Sequence, residues 1–218
     1  LQEENICPIC NPLAFFKIRD STYFRFFRIE EQKICSHKGS ILFFLFDLDC
    51  DIVELLAVAN YVVLDLTKDK YYTTLRVCFG FLGSSCQLYN KTESGMTHFF
   101  PMNSAEDIIN QTKNIVEYTN SIFTAINIAK RALIPVADKT RQLQQLCKIL
   151  NDQTSNEAFI SDAFYFFKGE VPNDLFLNSS VRFHMYNYTN EPSQNNMACA
   201  LRMKATYYVT SNSGPKLF

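Results

Sequence analysis

Ile41-Leu42-Phe43-Phe44-Leu45-Phe46 is the stretch on which the fold turns. A short apolar run bounded by turn signals reads as a buried strand. Ser36–Ser40, with Gly39 inside it, is the turn before the run, and Asp47 closes it. Neighbouring side chains on a strand point to opposite faces. Phe43 and Phe44 therefore cannot serve one small core unless a second layer covers the outer face.

Working outward, Asp47, Asp49 and Asp51 alternate along the chain. That spacing lets two or three carboxylates share one face and hold a cation such as calcium. The simpler reading is a strand end leading into a helix, because Asp51 with Glu54 fits a capping pair. Ile52–Asn60 then reads as a short helix, whereas the β-branched residues of Val62–Leu66 favour a strand. The apolar stretch from Ile41 to Leu66 is interrupted by Asp47, Asp49, Asp51, Glu54 and Asp65, so it is no membrane span.

Upstream, residues 1–12 read as an extended entry segment. Leu13–Ile18 and Thr22–Ile29 resemble two strands. Downstream, Tyr71–Leu82 is a strand, Gly83–Gly95 a polar loop, and His98–Phe100 a short strand before Pro101. Ser104 with Asp107 marks a helix start. Ile108, Ile115, Ile122 and Ala129 recur every seven residues, which predicts one helix of about 28 residues stopped by Pro135. Ala137 to Asn151 reads as a second helix, pairing with the first as a helical hairpin. Asn156 opens a third, Glu157–Phe167. Val181–Tyr188 and Met197–Thr210 read as a hairpin across the polar loop Asn190–Asn196.

Strands, then helices, then strands predict an α+β fold rather than a repeated βαβ pattern. The expected architecture is a mixed or antiparallel sheet from N- and C-terminal strands. The central helical hairpin and third helix pack on one face of it, cross-linked by disulfides. Residues 1–218 read as a single domain, with a helical lobe over residues 103–168 as the alternative.

Eight cysteines point to a disulfide framework: Cys7, Cys10, Cys35, Cys50, Cys78, Cys86, Cys147 and Cys199. Their pairing is not legible. Sequons at Asn90, Asn110, Asn178 and Asn187 agree with an oxidising, secretory route. Cys7-Pro8-Ile9-Cys10 with Cys35 and His37 has half the spacing of a zinc site but lacks a second paired set. The chain begins at Leu1, which fits a processed product, and any anchor would follow Phe218.

A formal net charge of −1 excludes the basic footprint of a general nucleic-acid binder. With 6 glycines there is no phosphate loop, no Gly-x-Ser-x-Gly elbow and no His-Glu-x-x-His pair. The three histidines, His37, His98 and His184, stand apart in the chain. No catalytic residue, cofactor or metal is expected. Lys130, Arg131, Lys139, Arg141 and Lys148 read as a solvated face, with steering of an acidic partner as the alternative. The 20 Phe and 11 Tyr exceed what one core needs, so some rings should meet another layer, a ligand or a partner.

The expected function is therefore a secreted or cell-surface glycoprotein module that works by protein–protein recognition. A pathogen protein binding a host receptor or immune ligand fits, as does an accessory subunit of a surface complex. The alternatives are a secreted carrier of a hydrophobic small molecule or lipid, and a disulfide-stabilised enzyme of unfamiliar type.

Overall fold

The computed structural model describes residues 40–68, 75–133, 138–153, 158–189 and 191–210. The strands expected over Leu13–Ile18 and Thr22–Ile29, together with Cys7, Cys10, Cys35 and His37, lie outside the described residues.

In chain order the elements are β1 (Ser40–Asp47), α1 (Ile52–Lys68), β2 (Arg76–Leu82), β3 (Cys86–Lys91), β4 (Thr97–Pro101), α2 (Ala105–Asn110) and β5 (Lys113–Asn114). There follow α3 (Ile115–Tyr118), α4 (Ser121–Ala132), α5 (Lys139–Asn151), β6 (Phe159–Phe167), β7 (Arg182–Tyr188), α6 (Gln194–Met203) and β8 (Thr206–Thr210). The strands form one mixed sheet in the order β4-β3-β2-β1-β6-β7-β8, with the short β5 beside β2. β1 lies parallel to both β2 and β6, and β6, β7 and β8 continue parallel. Only β2–β3, β3–β4 and β2–β5 are antiparallel.

Helices cover both faces. One core is built from α2, α5 and α6 against Phe43, Leu45, Tyr165 and Phe167. The other is built from α1, α3 and α4 against Phe44, Phe46, Phe164 and Phe166. This second layer answers the surplus of aromatics. Phe43 and Phe44 are adjacent in sequence, and each is wholly buried, in a different core.

The parallel register sets rings side by side. Phe81, Phe46, Phe166, Tyr186 and Tyr208 form a stacked row across five strands, with centroid spacings of 5.8, 5.4, 5.1 and 4.5 Å. Phe79, Phe44, Phe164 and His184 form a second row, spaced 5.4, 4.8 and 4.7 Å. Each such pair contributes about 0.5–1.5 kcal/mol beyond the area it buries. Gly80 keeps the opposite face clear: a Cβ there would lie 3.1 Å from the Phe43 ring.

Several sequence expectations are corrected. The helices cover both faces and not one, and β1-α1-β2 and β7-α6-β8 are parallel crossovers, which the α+β reading excludes. Val62–Leu66 continues α1 rather than forming a strand, and the expected loop Gly83–Gly95 contains the strand β3. Glu157–Phe167 is not a helix; Phe159–Phe167 is the strand β6. It is buried on both faces, so the alternation that marks a strand is invisible in its hydrophobicity. The predicted 28-residue helix is broken at Lys113–Asn114. Helix α2 ends at Asn110 with Gln111 as its C-cap, and Asn114 caps a new helix, α3, accepting from the Val116 amide at 3.0 Å. The sevenfold stripe is consequently split: Ile108 enters one core, and Ile115, Ile122 and Ala129 the other. The predicted helical hairpin does not exist as a unit, because α4 and α5 lie on opposite faces of the sheet. Finally, Met197–Thr210 is not one strand. Ser193 caps α6, which Lys204 ends in the left-handed conformation at φ 52°, and β8 returns parallel to β7.

Other expectations hold, among them the buried strand Ile41–Phe46. The Ser104–Asp107 capping box opens α2. N- and C-terminal strands do share a sheet, joined at β1–β6.

The disulfide cross-linking expected of Cys50, Cys78, Cys86, Cys147 and Cys199 is not found. All five are free and buried. They serve as small apolar core residues. Burial pushes the Cys86 and Cys147 thiols up to about 12, and also raises Cys50, Cys78 and Cys199. These five thiols are expected to resist alkylation in the native protein and to be labelled fully once it is denatured without reductant. Peptide mapping that leaves any of them unlabelled after denaturation would contradict the free-thiol core.

Candidate functional site

In an open α/β sheet, ligands bind outside the carboxyl ends of the strands where the chain turns to opposite sides. Here that point is the end of β1, flanked by β2 and β6. The residues gathered there are Asp47, Asp49 and Asp51, together with Glu54, Lys130, Lys139, Tyr165 and Lys168.

Asp47 ends β1 and is wholly buried. One of its oxygens accepts from Lys139 Nζ at 2.8 Å and from the Tyr165 hydroxyl at 2.7 Å. The other accepts from the Asp49 amide at 2.9 Å. Lys139, the first residue of α5, also reaches Asp49 Oδ2 at 3.0 Å. Asp51 and Glu54 share Lys168, at 2.9 and 3.2 Å. The Glu54 side chain accepts from the Asp51 amide at 2.8 Å, which is the capping interaction expected at the start of α1. From the other face of the sheet, Lys130 donates to the carbonyls of Leu48 and Cys50 at 2.7 and 3.0 Å.

The electrostatics keep this network locked. Burial pulls Lys139 down, but Asp47 and Asp49 outweigh it and hold the ammonium above its ordinary range. Burial, followed by the charge of Asp47, raises Tyr165 well above a normal phenol, so it stays a donor. The Lys168 hydrogen bond lowers Asp51. The cation position between Asp47 and Asp49 is thus taken by an ammonium of the chain itself. Among the described residues no group of three or more His, Cys, Asp or Glu side chains is arranged to hold a metal ion.

Sequence reasoning found the three aspartates and misplaced their partners. Lys130 and Lys139 were expected on a solvated face. They point inward instead, because a lysine stem is long enough to carry its charge from a helix end to the sheet. Tyr165 was hidden within the predicted third helix.

A second charged cluster lies on β6 and β7. Buried Asp162 accepts from Arg182 at 2.7 Å, and its other oxygen lies 3.1 Å from His184 Nε2. The His184 ring stacks on Phe164, a core-edge position. Burial raises Asp162, but His184 and Arg182 more than offset this and hold it below the ordinary 3.8. A carboxylate with a depressed folded value stabilises the protein above its unfolded value, and that contribution is lost as pH falls through the folded value. Asp162→Asn is therefore expected to be less stable than wild type at neutral pH, with the gap closing below about pH 4. Chemical unfolding followed across pH measures this; a gap independent of pH would contradict it.

The sequons fare unequally. Asn110 and Asn178 are exposed. Asn90 is half-buried in β3, and its amide donates to Gln111. Asn187 is wholly buried in β7 and donates to the Tyr207 hydroxyl at 3.1 Å. In the folded chain Asn187 presents no surface to which a glycan could attach. No helix among the described residues is long and apolar enough to cross a membrane.

No protein-family model matches the chain, and a search of curated proteins finds no match. Among solved structures, the human COPII-coat protein Sec24c is similar with a TM-score of 0.51 at 12% identity, over 80% of this chain and 30% of that one. The D319A mutant of the PilB minor pilin from Streptococcus sanguinis gives a TM-score of 0.43 at 9% identity, over 85% of this chain and 60% of that one. The chain thus spans less than a third of the Sec24c chain and less than two thirds of the PilB chain. At these identities the likeness to Sec24c is one of fold alone.

Proposed function

We propose that this chain is a non-catalytic module that works by protein–protein recognition. The observation that carries the reading is the state of the switch-point crevice. Where an α/β enzyme keeps its reactive groups, Asp47, Asp49, Asp51 and Glu54 are paired with Lys139, Lys168 and Tyr165 of the same chain. Asp47 is wholly buried, and an internal ammonium, a phenol and a backbone amide fill three of the roughly four acceptor sites of its carboxylate, so it offers no exposed oxygen to a substrate. The network instead clamps the β1–α1 loop to α4, α5 and the end of β6, which makes a rigid scaffold. The fold shared with a coat protein is compatible with such a role and carries no function by itself.

The carrier reading draws less support. The rings that would line its cavity are stacked on one another in two rows. The secretory route rests on the sequons alone, since the described cysteines are free. For protein secreted from eukaryotic cells we expect glycan at Asn110 and Asn178 only.

Surface plasmon resonance of the purified chain against an array of receptor ectodomains tests the reading. The expected result is saturable binding to a partner, unchanged by Asp49→Asn. Turnover in hydrolase or transferase panels that falls with Asp49→Asn would overturn it.

A further inference from the structure

Among the described residues the aromatic row across the sheet ends at β8. Among the described residues β8 pairs on one side only, with β7. Natural edge strands are guarded by Pro, Lys or other charges, or by bulges. The opposite edge, β4, ends in Pro101. β8 reads Thr206-Tyr207-Tyr208-Val209-Thr210 and has neither Pro nor charge.

This sequence is nearly its own mirror. Pairing it antiparallel with a copy of itself, with Tyr208 on the two-fold axis, sets Tyr208 opposite Tyr208, Tyr207 opposite Val209 and Thr206 opposite Thr210. Aromatic–aromatic and aromatic–β-branched pairs are favoured cross-strand combinations. No like charges meet at the axis. Tyr208 is half-buried and stacked 4.5 Å from Tyr186, so its copy would carry the row directly into the second molecule.

Helix α6 supplies a second, independent observation. Asn195 and Arg202 lie on one flank and bond Glu170 and Asn173, toward the middle of the sheet. At 100° per residue, Met197 lies on the other flank, toward the outer side of β8, and Leu201 lies beside it on the outer face of the helix. Leu201 is 79% exposed and Met197 39%, and Leu201 is the most exposed large apolar side chain among the described residues. A two-fold axis perpendicular to the sheet keeps both α6 helices on the same face, with the Met197 flanks turned toward each other and Leu201 at the rim above them.

We infer that the β8 edge and the outer flank of α6 form a symmetric interface with a second copy of this chain, joining two sheets into one. A contact of this kind is isologous and closes on itself. Sedimentation of the full chain from low to high micromolar concentration is expected to reach twice the 25.2 kDa chain mass. Tyr208→Lys and Tyr208→Glu place like charges on the axis, so each alone is expected to stay monomeric. Mixed in equal amounts, they are expected to recover the dimer mass. Should the strand variants fail to fold, Leu201→Glu, on an exposed helix position, is expected to weaken the dimer about tenfold or more in Kd. A wild-type chain that stays monomeric overturns the proposal, whether a segment of the same chain or a different protein covers β8. A dimer that survives both Tyr208→Lys and Leu201→Glu also overturns it.

Discussion

Lys139→Met is expected to destabilise the protein by about 3–5 kcal/mol, the cost of removing one partner of a buried ion pair. Asp47 has no exposed surface, and Lys139 is only 18% exposed, so solvent screens the pair little. Without the ammonium, Asp47 retains the Tyr165 hydroxyl and the Asp49 amide, both neutral donors. The uncompensated charge, rather than the lost contact, causes most of the damage. The double change Lys139→Met with Asp47→Leu is therefore expected to recover most of the loss, since it leaves no orphaned charge. Chemical unfolding of the two singles and the double gives the coupling directly. A single-variant loss under about 1 kcal/mol, the range of surface pairs, would show that the site is hydrated and not locked. The pH dependence has a defined sign. A lysine whose folded value is raised contributes stability that is fully present below the unfolded value of 10.5 and lost as pH rises through the folded one. Wild type, but not the double variant, is expected to soften on that alkaline limb.

The second large effect is Phe44→Ala, at about 3–5 kcal/mol. Phe44 sits in the middle of β1, wholly buried, between Phe79 at 5.4 Å and Phe164 at 4.8 Å. Truncation opens a cavity that rings on both sides cannot fill, because each is held in register by its own strand. Phe100→Ala serves as the contrast. Phe100 lies on the edge strand β4 and is 39% exposed, and its removal is expected to change stability by about 0.5 kcal/mol or less. Equal losses at the two positions would show that the stacked row adds nothing to the core.

How much of this was legible in the chain follows from periodicity. Ile41–Phe46 was readable as a buried strand because six apolar residues stand between turn signals. The start of α2 was readable because Ser104 and Asp107 form a local motif whose two hydrogen bonds lie within four residues. β6 was not readable. Phe159–Phe167 is buried on both faces, so it shows no alternation and passes for the inside of a helix. α6 was masked by the spacing of Cys199, Leu201, Met203, Ala205 and Tyr207, which fits a strand as well. The Ser193 cap was the local signal that separated the two.

The site divides in the same way. Asp47, Asp49 and Asp51 were visible because carboxylates at alternate positions are a sequence pattern. Their partners were not: Lys139 is 92 residues from Asp47 and Tyr165 is 118. Lysines near a helix end look solvated until the fold shows what lies beneath them. The amino-acid sequence by itself determined that this chain buries a strongly aromatic core around β1, caps its helices with Ser104 and Glu54, and carries a carboxylate cluster at the end of that strand. Only the tertiary structure decided that helices cover both faces, that the sheet is largely parallel, and that the cluster is neutralised from within. The physical reason is range. Caps and apolar runs are set by neighbours in the chain, whereas strand partners and buried counter-charges are chosen by packing between segments that the sequence keeps far apart.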